Sequence, residues 1–249
     1  LSAGHRFAPC ANALACAASA IFASLSSAAG AQPDLEGFWT PRIEQARSGQ
    51  ALIDELPDET VLINDTGASE LAAGEFAGLK LTPAAIEEVR RYDFGAELKR
   101  ENTCNAPTAA FFMQAPFPME IYQSDELIVF KMEYFDLVRV VHLDGRAHTP
   151  ATAPHSRAGH SIGRWEGDTL VVDTTHLTSG TFMNNGFNHS DRLHMIERFR
   201  TSSDGSILWL TQLYEDPAVF DGLAARYMAF TRRPGEYVYP YDCDPSYGE

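Results

Sequence analysis

The sequence predicts a mainly β protein, an antiparallel sheet or barrel with one or two helices in its N-terminal half. Two observations lead there. From Ile121 onward, short apolar and β-branched runs alternate with turn signals such as Asp144-Gly145-Arg146, Glu166-Gly167-Asp168 and Ser203-Asp204-Gly205, the pattern of successive hairpins. No helical run of the length that a crossover between parallel strands needs lies among them. The 249 residues, 45% hydrophobic and 21% charged, suffice for a full core.

Taken in order, Asp34-Leu35-Glu36-Gly37-Phe38-Trp39-Thr40 is read as the first strand. A polar, glycine-punctuated region follows to about Leu81, helical over 42–52 and a short strand at Val61-Leu62-Ile63. The best helix starts at Thr82, an N-cap before Pro83 at the first helical position, with Glu87 and Glu88 early and Arg90 and Arg91 later, the order that the helix dipole favours. It is expected to run to about Leu98, a helical insertion in the barrel domain. Strands are then expected at Glu126–Glu133, Leu137–Leu143, His160–Trp165, Thr169–Thr175, Leu193–Thr201, Ser206–Tyr214 and Ala224–Arg232.

Residues 1–31 read as a secretory signal peptide: Arg6 is the single charge, an Ala/Ser/Leu/Cys-rich run follows, and small residues end it at Ala28-Ala29-Gly30-Ala31. No basic stop-transfer cluster follows, so no membrane insertion is expected after cleavage, and residues 32–249 form one domain placed in the periplasm or secreted. Removing the signal leaves 34 Asp+Glu against 18 Lys+Arg (19 less Arg6), a formal charge of −16. Such a surface repels nucleic acid. Two cysteines remain, Cys104 and Cys243, and in an oxidising compartment they are expected to form a disulfide.

Gly159-His160-Ser161-Ile162-Gly163 fits the G-x-S-x-G of serine hydrolases. That motif works where a strand turns sharply into a helix. Here the chain reads strand, tight turn, strand, so Ser161 lacks the context of a nucleophile, and Gly159 and Gly163 are assigned to close approach of neighbouring segments. His155, His160, His176, His189 and His194 crowd into the same region. From these, His194, His160 and Asp191 are the candidate acid–base residues. Centring the hairpin near Asp136 sets Glu133 across from Arg139, either a plain cross-strand ion pair or a buried pair whose arginine holds a carboxylate, enolate or phenolate of the substrate; Tyr134, His189 and Arg198 complete the candidate substrate-binding set. A metal held by His189, His194 and His160 is the alternative to cofactor-free chemistry.

Gly37-Phe38-Trp39 with a basic residue in the last strand, Arg232 or Arg233, resembles the lipocalin (calycin) pattern, in which an arginine packs on the tryptophan of the first strand. The chain more specifically resembles a group of secreted, mostly uncharacterised bacterial proteins. The shared motifs are Gly-x-Trp, Cys104 to Pro107, Pro116 to Ile121, Asp-Gly-Arg at 144–146, Gly-His-Ser-x-Gly-x-Trp-Glu-Gly-Asp-Thr-Leu-Val-Val-Asp-Thr at 159–174, and His-Ser-Asp-x-Leu-His-x-x-Glu-Arg-Phe at 189–199. Thr108-Ala109-Ala110 departs from the Gly-Met-Pro-like segment that relatives often carry. The resemblance implies a lipocalin-like β-barrel outside the cytoplasm, without fixing a reaction. The expectation is a barrel enzyme of the lyase, isomerase or cyclase kind acting on a small apolar or aromatic molecule, with a noncatalytic lipocalin-like carrier as the second reading and a metal-dependent hydrolase or lyase as the third. Phe111 to Pro118 either caps the barrel mouth or packs into the core.

Overall fold

The computed structural model describes residues 32–42, 50–63 and 71–248, within a compact unit spanning Gln32–Glu249. The signal-peptide reading of 1–31 and the helical reading of 43–49 lie outside the described residues. Nine strands form a closed barrel: β1 (Gly37–Pro41), β2 (Met119–Gln123), β3 (Leu127–Met132), β4 (Val138–His142), β5 (His160–Glu166), β6 (Thr169–Thr175), β7 (His194–Thr201), β8 (Ile207–Glu215) and β9 (Ala224–Arg232). Each pairs with the next in sequence, and β9 closes on β1 with Trp39 opposite Arg232.

The barrel is mixed rather than purely antiparallel, and parity explains why. Strands that reverse direction at every step close a barrel only in even numbers. With nine, one neighbouring pair must run parallel, and that pair is β4 and β5, joined by the connection 143–159. Its register comprises only Val141 opposite Ser161 and His142 opposite Ile162. The short strand Val61–Leu62 adds a second parallel pairing, outside the barrel, against Ala224 and Ala225.

Alternation along each strand separates interior from exterior. Met195, Glu197 and Phe199 of β7 are buried, as are Leu208, Leu210, Gln212 and Tyr214 of β8. Buried Trp39 donates from Nε1 to Leu35 O (2.9 Å), and the guanidinium of Arg232, rather than Arg233, lies 4.6 Å from the Trp39 ring centroid. Arg232 also donates to Asp34 Oδ2 at 3.1 Å.

Four helices occur among the described residues: α1 (Gln50–Asp54), α2 (Pro83–Arg90), α3 (Phe94–Glu97) and α4 (Ala109–Phe112). The single helix expected over 82–98 is two. Thr82 caps α2 by accepting from Ala85 N (3.3 Å), but Asp93 then accepts from Gly95 N (3.0 Å), starting a new helix. α4 and the residues to Ala115 are buried. Inward-facing side chains meet its carbonyls: Gln212 Nε2 donates to Ala109 O (3.5 Å), and Tyr214 Oη lies 3.2 Å from Ala110 O. The start of the expected Phe111–Pro118 cap is therefore core-packed, with Pro116 exposed and Phe117 half-buried at its end. Cys104 and Cys243 form a disulfide, 139 residues apart in sequence; closing so long a loop typically contributes about 2–4 kcal/mol. No helix among the described residues is long and apolar enough to cross a membrane.

At the centre, Arg139 of β4 reaches Glu197 of β7, both side chains fully buried. Nη1 donates to Glu197 Oε1 (3.0 Å) and Nη2 to Oε2, a two-point pairing. Nε donates to Ser161 Oγ of β5 (3.1 Å) and Nη2 to Thr174 Oγ1 of β6 (2.7 Å). Gln212 Nε2 donates to Glu197 Oε1 (2.8 Å), Tyr214 Oη donates to Gln212 Oε1 (2.7 Å), and Arg226 Nη1 donates to Tyr214 Oη (3.4 Å). A polar network thus shares the interior with the apolar core. Removing one member of the pair leaves a buried, uncompensated charge. Arg139→Met is expected to cost about 3–5 kcal/mol in urea unfolding, and adding Glu197→Leu should recover most of it. A double variant as unstable as the single would show that the pair's charge balance is not what holds the centre.

Candidate functional site

The residues that face away from the interior on the same strands form a second polar cluster. His160 precedes inward-facing Ser161, and Asp173 precedes inward-facing Thr174. His194 begins β7, two residues before Ile196, which lies opposite Asp173. His160 sits opposite Thr175 and Met195 opposite Thr174, so both histidines lie at the same end of β6. Gly159 makes this close: it has φ +69°, and a Cβ there would lie 2.7 Å from Thr175 O. At Gly163 a Cβ would meet Val141 and Leu143 side chains at 2.8 Å, which places this glycine at the parallel seam.

Asp173 is the hub. Its Oδ1 accepts from His194 Nε2 at 2.8 Å and from His148 Nε2 at 3.0 Å. His148 comes from the 143–159 connection, so the chain excursion that solves the parity problem also completes the cluster. His148 Nδ1 lies 2.9 Å from His160 Nδ1. Thr175 Oγ1 lies 3.2 Å from His148 Nδ1 and 2.8 Å from His176 Nδ1, while His176 Nε2 donates to Pro150 O (3.0 Å). The His142 ring lies 5.8 Å from that of His160.

These contacts select tautomers. With Nε2–H directed to Asp173, a neutral His148 presents Nδ1 as an acceptor, and His160 supplies Nδ1–H to it. His160 Nε2 then carries a lone pair, and His194 has Nδ1 left over; neither atom bonds to another described residue. The hydrogen bond to Asp173, and its negative charge, raise the His194 pKa above 6.5. His160 is held below 6.5 first by burial, and then because a proton on it would be repelled by positive charge on its basic neighbours, His148 foremost. Asp173 is lowered, first by the His194 bond. The two imidazoles thus move in opposite directions, which is how one site comes to hold an acid and a base together.

The other sequence candidates are dispersed. Asp191 is exposed and bonds neither histidine; the carboxylate that bonds His194 is Asp173. Arg139 lies opposite Phe130, not Glu133. The tight helical turn Tyr134–Asp136, with Phe135 and Asp136 at positive φ, shifts the hairpin centre and leaves Glu133 outside the strand, accepting from Tyr239 N (3.2 Å). Tyr134 stacks on Phe117, centroids 4.7 Å apart. Arg198 is on the outer face, donating to Glu55 and Glu166. Buried His189 donates from Nδ1 to Ser190 O (2.9 Å) and pairs through Nε2 with Thr108 Oγ1 (2.6 Å); burial lowers its pKa. Ser190 is held by buried Asp216, which accepts from its N and Oγ at 2.7 Å. His189 therefore does not join His160 and His194, and among the described residues no three His, Cys, Asp or Glu side chains group so as to hold a metal ion.

His148 and Asp173 were missed as site residues. Asp173 carried a signal, since strand alternation puts it with Val171 on the face opposite Leu170 and Val172. His148 carried none, because its place depends on the path of a loop.

No protein-family model and no curated protein matches this sequence.

Replacing the hub tests the electrostatics. In Asp173→Asn, the His194 pKa is expected to fall toward or below 6.5, read from proton NMR titration of the ring signals. An unchanged His194 would show that the carboxylate does not hold its proton.

Proposed function

We propose that this protein is an extracytoplasmic acid–base enzyme, a lyase or isomerase, whose reacting groups are His160 and His194. The observation that carries this reading is the Asp173 hub, bonded directly to His194 and through His148 to His160, with the pKa values of His194 and His160 moved apart. His160 Nε2 takes a proton from a carbon beside a carbonyl or similar group. His194, kept cationic by Asp173, gives the Nδ1 proton to the developing oxyanion or the departing group. His148 relays orientation, fixing His160 with Nδ1–H inward and Nε2 outward.

The substrate is a small molecule taken at the outer face of the barrel, because the interior is filled by Arg139, Glu197, Gln212, Tyr214 and their neighbours. The same filling weighs against a carrier that holds an apolar ligand in a central calyx. Kinship with lipocalin-like barrels is supported by the packing of Arg232 on Trp39, and an oxidising compartment by the disulfide. The chemistry asks for no organic cofactor.

The pH dependence has a definite sign. The active form needs His160 neutral and His194 protonated, so kcat/KM should be bell-shaped, falling on the acid side below 6.5 and on the basic side above 6.5. The test is to incubate the protein with pooled phenolic, terpenoid, steroid and glycoside compounds and follow masses and retention times. Conversion by wild type is expected to drop about 100- to 10,000-fold in folded His160→Gln and His194→Gln variants. Conversion that survives both substitutions would contradict the assignment.

A further inference from the structure

Away from the histidine cluster, a cleft of about 440 Å³ opens between the 97–107 loop, the Tyr134 turn, Arg157 and the strand pair Gly180–Met183 and Phe187–His189. This is within the size range of small-molecule sites. We infer that it binds a neutral polyhydroxyl ligand, a mono- or disaccharide unit. The inference does not depend on the acid–base reading.

The lining is the argument. Glu97 and Arg157 are its one anion and one cation, so the cleft favours neither charge sign in a ligand. Between them stand carboxamides and hydroxyls, among them Asn102, Asn105, Thr181 and Asn188. A carboxamide presents donor and acceptor side by side, matching the hydroxyl pairs of a sugar. The amides are also anchored: Asn102 Nδ2 donates to Ala96 O (2.7 Å), Asn105 Nδ2 to Asn102 Oδ1 (3.2 Å), and Asn188 Nδ2 to Glu88 Oε1 (3.0 Å). The Oδ1 atoms of Asn105 and Asn188 accept from no described residue, which leaves two fixed acceptors.

Two aromatic side chains, Phe111 and Tyr134, also line the cleft, and Tyr134 is braced from outside it. Tyr134 stacks on Phe117 with the ring planes 13° apart, and Tyr241 packs edge-on to both. Phe135 (φ 55°) and Asp136 (φ 53°), next to Tyr134, hold a conformation that side-chain-bearing residues rarely adopt. The Asp136 carboxylate secures it by accepting from Tyr241 N (3.0 Å) and Asp242 N (3.3 Å). One residue further, Cys243 is bonded to Cys104 between Thr103 and Asn105. The disulfide therefore ties the loop that carries Asn102 and Asn105 to the segment packed on Tyr134, and a site braced in advance loses little freedom on binding.

The test is a titration of the full-length, isotope-labelled protein with maltose, cellobiose, lactose and trehalose, with citrate and phenol as contrasts, followed by NMR. At least one disaccharide should shift the Asn105, Asn188 and Tyr134 signals. Its affinity should fall about tenfold in Tyr134→Ala, the loss typical of an aromatic anchor, and measurably in Asn105→Ala, whose exposed position spares the fold. The inference is overturned if no disaccharide shifts these signals, if citrate or phenol does so in their place, or if both variants bind sugar as wild type does.

Discussion

The barrel depends on one buried guanidinium. Arg139 touches side chains from β5, β6 and β7 while standing on β4, and so spans the place where the backbone ladder is weakest. Nine strands force one parallel neighbour, and between β4 and β5 only two register pairs form. Taking Arg139 and Glu197 out of water is costly. Every nitrogen of the guanidinium has a partner, and Gln212 supplies Glu197 with one more donor, so the desolvated charges are met by short, directed bonds.

The same strands build both polar clusters by alternation. Ser161, Thr174 and Glu197 point inward to the guanidinium, whereas His160, Asp173 and His194 point outward to one another. A one-residue slip of register would exchange the two sets, burying imidazoles and exposing the ion pair. Interior charge pairing therefore fixes the register on which the outer cluster depends. The parallel seam contributes the last part, since the 143–159 connection between the two parallel strands brings His148 onto Asp173.

Much of this was legible in the sequence. Strand periods were clear from Glu126 onward, Thr82 was recognisable as a cap, and the Ser161 motif was recognisable as a strand rather than a nucleophile turn. Trp39 and a basic residue of the last strand were legible as partners. What failed has particular causes. Counting the hairpin from Asp136 put Glu133 opposite Arg139, because positive φ at Phe135 and Asp136 leaves no mark in residue type alone. Asp191 looked closer to His194 than Asp173 did, because sequence distance hides cross-strand neighbours. The parallel pair was invisible because it follows from the parity of the whole barrel, and the break at Tyr92-Asp93 was masked by helix-forming residues on both sides.

The most direct measurement is the nitrogen-15 spectrum of the imidazoles in the full-length protein near pH 6.5, which reports protonation and tautomer atom by atom. The account predicts a neutral His160 protonated at Nδ1 with a bare Nε2, beside a cationic His194. Equal charge on the two rings, or a His160 protonated at Nε2, would contradict it.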